Sequence, residues 1–225
     1  MDLFSGAVTS LMSALGLSAA SGLNAYISLL TLGISHRMGW VALTTPYDWL
    51  GNEYVLLGIA VIGLIDLIGD KIPAVDHALH TVGIFIAPVA GAILFAGQSG
   101  AATNIHPVIL LAAGCLVGGA VQWTRTAVRP VVTATTAGVG NPVVSAGEDL
   151  VASFLAMLAI FAPIAAGVFA LILLCVLGWM LLRVWHFFRG RSPQQPLPRT
   201  DEPTNYSLSA DRLPAFRNHR PPDPV

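Results

Sequence analysis

Long apolar runs separated by short polar connectors govern this chain. The runs are Val8 to Ile34, Tyr54 to Gly69, Thr81 to Gly97, His106 to Trp123 and Leu150 to Leu182. About 20 apolar residues cross the hydrocarbon core of a bilayer as a helix, so each run predicts a span. The last run holds 33 residues. As one helix it would be about 50 Å long, well beyond the roughly 30 Å core. Pro163 lies inside it and predicts a turn between two helices. Charge agrees, because Lys and Arg favour cytoplasmic loops. A turn at Pro163 puts the connectors bearing Lys71 and Arg125/Arg129 on the same side as Arg183, Arg189 and Arg191. The chargeless link from Gln98 to Ile105 then faces the other side, and only Arg37 departs from the rule. The prediction is an all-α, polytopic transmembrane helical bundle of about six spans with broken or short helices. It is expected in the cell membrane as a multi-pass protein, with both termini cytoplasmic.

Composition agrees. Of 225 residues, 55% are hydrophobic and 10% charged, against about 25% charged in a soluble domain. Six of the eleven basic residues follow Phe188, and no basic domain exists, so nucleic acid is not an expected partner. Residues 1–188 read as the transmembrane domain. Residues 189–225 carry eight prolines after Gly190, mixed charges and few apolar side chains. They predict a disordered, Pro-rich cytoplasmic tail. The N-terminus has Asp2 and no early Lys or Arg, so the first apolar segment is expected to be retained. Cys115 and Cys175 sit in apolar runs and form no disulfide framework.

Polar residues inside such a chain are where chemistry is sought. Ser18, Ser21, Gly22 and Asn24 interrupt the first run. The small residues suit close helix contact, while a buried Asn24 amide needs partners. Asp66 falls in the last turn of the second run, and an ionisable residue within a span is expensive to bury. It lies four residues before Asp70, so on a continuing helix the two share a face and could share a proton or hold a cation. A helix is predicted to start near Pro73. Asp76, His77 and His80 are weak candidates for a divalent metal, set against a solvated helix start. Gly114-x-x-x-Gly118 permits close helix approach, within the chain or between copies in an oligomer.

Thr133 to Asp149 is the least membrane-like stretch, with Gly138, Gly140, Pro142 and Gly147 as breakers. It predicts irregular backbone bordering protein or water. Ser145 and Glu148 have capping-box spacing and predict a helix start there. Asn141 and Asp149 are left without a structural assignment.

Ala19-Ala-Ser-Gly-Leu-Asn-Ala-Tyr26, Asp70-Lys-Ile-Pro-Ala-Val-Asp76, Pro88-Val-Ala-Gly91, and Thr135-Thr136 through Gly140-Asn-Pro142 with Ser145 and Glu148-Asp149 form four motifs in one order. Together they resemble the domain-of-unknown-function family 4126 of bacterial membrane proteins, over roughly Leu11 to Arg183. The resemblance implies a membrane setting and carries no activity with it.

The leading functional expectation is a small-solute or ion transporter or permease. Its binding residues would be Asn24, Asp66, Asp70, Asp76, Asn141, Glu148 and Asp149. The acids would carry a cation or proton and the Asn residues would supply neutral ligands. Expected partners are the lipid bilayer and a small solute or cation. No catalytic residue and no cofactor are assigned. A scaffold or assembly factor without turnover is the second reading, and an intramembrane metal-dependent enzyme the third.

Overall fold

The computed structural model describes residues 3–69, 73–99 and 104–189, with side chains for 5–69, 82–99, 104–183, 185 and 186. Asp70, Lys71 and the predicted tail from residue 190 onward lie outside the described residues, as do the side chains of Asp76, His77 and His80.

Seven α-helices make up this region: α1 Leu3–Leu23, α2 Ala25–Arg37, α3 Glu53–Gly69, α4 Pro73–Ser99, α5 Pro107–Thr136, α6 Asn141–Phe161 and α7 Pro163–Arg189. Five are long and apolar enough to cross a membrane: α1, α4, α5, α6 and α7. With 13 and 17 residues, α2 and α3 are only about 20 and 25 Å long, short of the roughly 30 Å core. The chain is an integral-membrane helical bundle, with broken and short helices as expected.

The first apolar run differs from its expectation. It is not one span but two helices meeting at Asn24, which adopts extended backbone (φ −147, ψ 108). Its side-chain oxygen accepts from Ile27 N at 3.1 Å. Asn is a strong N-cap because its short side chain satisfies a backbone N–H that a helix start leaves orphaned. The chain reverses at this residue. Ala14 of α1 clusters with Phe95, Ala96 and Leu110, whereas Gly33 on α2 abuts Leu50 and Leu56, and Gly63 on α3 abuts Tyr26.

The second expected break is present. Ala162 leaves the helix (φ −141, ψ 67) and Pro163 opens α7. The rings of Phe154 and Phe169 lie 5.9 Å apart. Fifteen positions of continuous helix would separate them by about 22 Å, so α7 folds back along α6. Along α1, Ser13 meets Ala159 near the end of α6 and the following Asn24 meets Asp149 nearer its start, so α1 runs against α6 and the same way as α7. The start of α1 and the end of α7 lie at opposite ends of the bundle, whereas the six-span count put both termini on one side. The physical reason is the extra reversal at Asn24.

The centre of the bundle is α1, packed by α2, α4, α5, α6 and α7. It is built for close approach. Ser13, Ala14, Leu17, Ser18, Ala19, Ala20 and Ser21 are all buried. Ser18 Oγ donates to Gly91 O and Ser13 Oγ to Ala159 O, each at 2.8 Å. Between α4 and α5, Gly91 faces Gly114 and Gly118 so closely that a methyl group on Gly114 would collide with the Gly91 carbonyl. Lipid supplies no hydrophobic drive between helices, so van der Waals fit of small residues and such hydrogen bonds hold the bundle together. The outward faces are large and apolar, with Leu57, Val61, Ile65 and Ile68 on α3 and Ile172, Val176 and Trp179 on α7 exposed.

The breaker-rich stretch is more regular than its composition suggests. Helix α5 continues to Thr136, and only residues 137–140 are irregular, with Ala137 and Gly138 at positive φ (51 and 85). Helix α6 begins at Asn141 with Pro142 in its first turn, where a missing N–H costs nothing. The helix start predicted at Ser145 is thus four residues late, and Ser145 and Glu148 form no capping box.

Candidate functional site

At the end of the bundle where α1 breaks, α5 and α6 present charged side chains toward it. Thr124 is buried and Gln122 is 2% exposed, so the polar residues of α5 begin well inside the packed region. Three positions on, Arg125 shares a helix face with Gln122. Its Nε donates to Glu148 Oε2 at 2.6 Å, and its Nη1 donates to Leu23 O, also at 2.6 Å. The second bond satisfies a carbonyl at the end of α1 that no further helical turn can reach. Arg129, one turn on, gives Glu148 Oε2 another bond at 3.0 Å. These side chains are only 11–16% exposed. At such burial an ion pair needs full hydrogen bonding to offset its desolvation.

Asn24 completes the join. Its Nδ2 donates to Asp149 Oδ1 at 2.8 Å, so one amide caps α2 and ties it to α6. Asp149 O in turn accepts from Ser153 Oγ at 2.7 Å.

A cleft opens beside this join, between α1, α2, α3, α4 and α5. Ser21, Asn24, Tyr26, Asp66, Gln122 and Arg125 supply its polar lining, and Gly83, Ile86 and Ala87 its α4 wall. The free space is enough for a few water-sized groups. Gly83 leaves room for the Gln122 amide, whose nitrogen lies 3.1 Å from where a Cβ would sit. Ser21 Oγ donates to Ser18 O at 2.8 Å and so faces the cleft mainly as an acceptor.

The residues singled out from sequence fall into separate groups. Asn24 and Asp66 border the cleft. Asp149 touches it through Asn24, and Glu148 is held between two guanidinium groups behind it. Asn141 is elsewhere, at the exposed α5–α6 turn, where its Oδ1 accepts from Thr133 Oγ1 at 3.1 Å. Asp70, Asp76, His77 and His80 lie outside the described side chains. Arg125, counted from sequence among the basic residues of a connector, is instead a buried strut within α5. Gln122 was not singled out at all. The signal was available: an amide and a guanidinium three residues apart, closing an otherwise apolar run, are costly in lipid unless they face the protein interior.

No curated relative and no solved structure matches the chain. The sequence does match, over residues 11–183, the family described as a domain of unknown function, DUF4126. That segment holds the Asn24 break, the cleft and both hairpins, and the chain belongs to the DUF4126 family.

Proposed function

We propose that this protein is a carrier of a small polar solute or ion, and that the cleft beside Asn24 is its binding site. The observation that carries the reading is the broken α1–α2 pair with polar side chains from α2, α3 and α5 gathered at the break. Secondary transporters place their sites at discontinuous helices, because interrupted backbone and inward-facing polar groups are tolerated in a membrane only where they border a cavity. Of the seven binding residues expected from sequence, Asn24 and Asp66 are retained as ligand contacts. Glu148 and Asp149 act as the frame that holds the break.

The membrane is proposed to be the bacterial cell membrane. Arg125, Arg129, Arg183 and Arg189 lie toward one end of the bundle and Arg37 toward the other. The excess positive charge favours the cytoplasm for the first end. With α1 and α7 parallel, the start of α1 then faces the outside and the end of α7 the inside.

The test is flux in proteoliposomes across a panel of small anions, cations and neutral solutes, comparing the natural chain with Asn24→Ala and Asp66→Asn. A solute-specific flux lost in both variants, with fold retained, supports the carrier. If no solute moves faster than in empty liposomes, the carrier reading fails and a scaffold role without turnover takes its place.

A further inference from the structure

Gln122 is 2% exposed, and its side chain borders the cleft and makes no hydrogen bond among the described residues. A primary amide offers two N–H donors and one carbonyl acceptor. Bordering the cleft, these groups are open to a bound ligand rather than committed to a protein partner. Arg125, on the same face, commits Nε and one hydrogen of Nη1 to Glu148 and Leu23. Its Nη2 donates to nothing among the described residues, while the side chain borders the same cleft. Asn24 has given one of its two amide hydrogens to Asp149 and its oxygen to Ile27, so one N–H is left over.

The unused capacity on Arg125, Gln122 and Asn24 is therefore mostly donor, and the charges bordering the cleft are the Arg125 guanidinium, paired with Glu148, and the Asp66 carboxylate. Asp66 also borders the cleft, but its side chain has an interaction of its own, so the free donors set the character of the ligand. Donors on a planar guanidinium and a planar amide match a planar oxyanion, for which Arg is the usual partner. The room for only a few water-sized groups limits the ligand's size.

We propose that the cleft binds a small carboxylate, with Arg125 and Gln122 as its direct donors. This rests on the carrier reading for its biological use, but the binding itself does not require transport. It also gives the Gln122 amide a role, as a donor to the ligand in the cleft it borders.

The experiment is titration of the full chain in nanodiscs with acetate, using acetamide and methylammonium as size-matched neutral and cationic controls, read by calorimetry. Saturable binding of acetate is expected, with each control at least about tenfold weaker, the discrimination that loss of one charge-assisted hydrogen bond gives. Gln122→Leu keeps the volume and removes the amide. It is expected to weaken acetate at least tenfold while leaving thermal stability equal or raised, since the amide has no partner to lose. Absence of saturable acetate binding overturns the proposal. So does equal binding of acetamide or methylammonium, and so does a Gln122→Leu variant that binds acetate normally or that melts markedly earlier than the natural chain. Flux separates the two readings. Acetate bound but no solute moved defeats the carrier and leaves the carboxylate site standing. A cation moved in a Gln122-dependent manner, with acetate unbound, does the reverse.

Discussion

The side-chain amide of Asn24 donates to Asp149 at 2.8 Å across 125 positions of sequence, while its oxygen caps α2 at Ile27. One residue thus ends the central helix, starts the next and fastens both to α6.

That double duty predicts an asymmetric pair of substitutions. Asn24→Ala loses the cap, about 1 kcal/mol, and leaves the Asp149 carboxylate without this donor, roughly another 1–3 kcal/mol. Asn24→Asp keeps the cap but sets two carboxylates together. Both variants are expected to lower the melting temperature in detergent. Asp149→Asn is expected to rescue Asn24→Asp, since an amide and an acid again face each other. Thermal melts of the three variants check this.

Two ion pairs of equal apparent quality are expected to differ in worth. Arg125 and Glu148 are 12% and 16% exposed, Arg37 and Glu53 51% and 60%, with the Arg37 pair at 2.8 Å. Arg37→Ala is expected to cost less than about 1 kcal/mol, as exposed pairs do. Arg125→Ala is expected to cost about 3 kcal/mol or more, because Glu148 loses a buried partner and Leu23 O its donor. Unfolding by denaturant in mixed micelles measures both, and similar losses would contradict the burial argument.

Glycines in this chain divide by what surrounds them. A Cβ at Gly114 meets Gly91 backbone and Phe95, so Gly114→Ala is expected to destabilise the α4–α5 contact by about 1–3 kcal/mol. At Gly58, inside α3, a Cβ meets nothing within 4 Å. Gly58→Ala is expected to be neutral or to stabilise by up to about 1 kcal/mol through the unfolded chain. Parallel thermal melts of the two variants distinguish them.

The alternating directions of α3, α4 and α5 have a topological consequence. Val139 is exposed at the α5–α6 turn and Met38 at the end of α2. In a background lacking Cys115 and Cys175, Val139→Cys and Met38→Cys are expected to react with an impermeant thiol reagent from opposite sides of the membrane. Labelling from the same side would refute the alternating helix directions.

Hydropathy alone was enough to predict a helical membrane bundle, because lipid demands long apolar helices whatever they pack against. The turn at Pro163 and the start of α4 at Pro73 were legible for an equally local reason, the restricted φ and missing N–H of proline. The break at Asn24 was signalled only as a cluster of small and polar residues, which serves helix packing as readily as helix termination. It took the third dimension to decide between them, through the cap on Ile27 and the bond to Asp149. Local spacing also misled: Ser145 and Glu148 fit a capping box, but Glu148 is claimed by two arginines brought to it by the α5–α6 hairpin. The sequence by itself therefore determined the solvent this chain lives in and where its long apolar stretches lie. Only the tertiary structure decided which helix lies at the centre, which way each one runs and which polar groups meet, because those depend on contacts between residues a hundred positions apart.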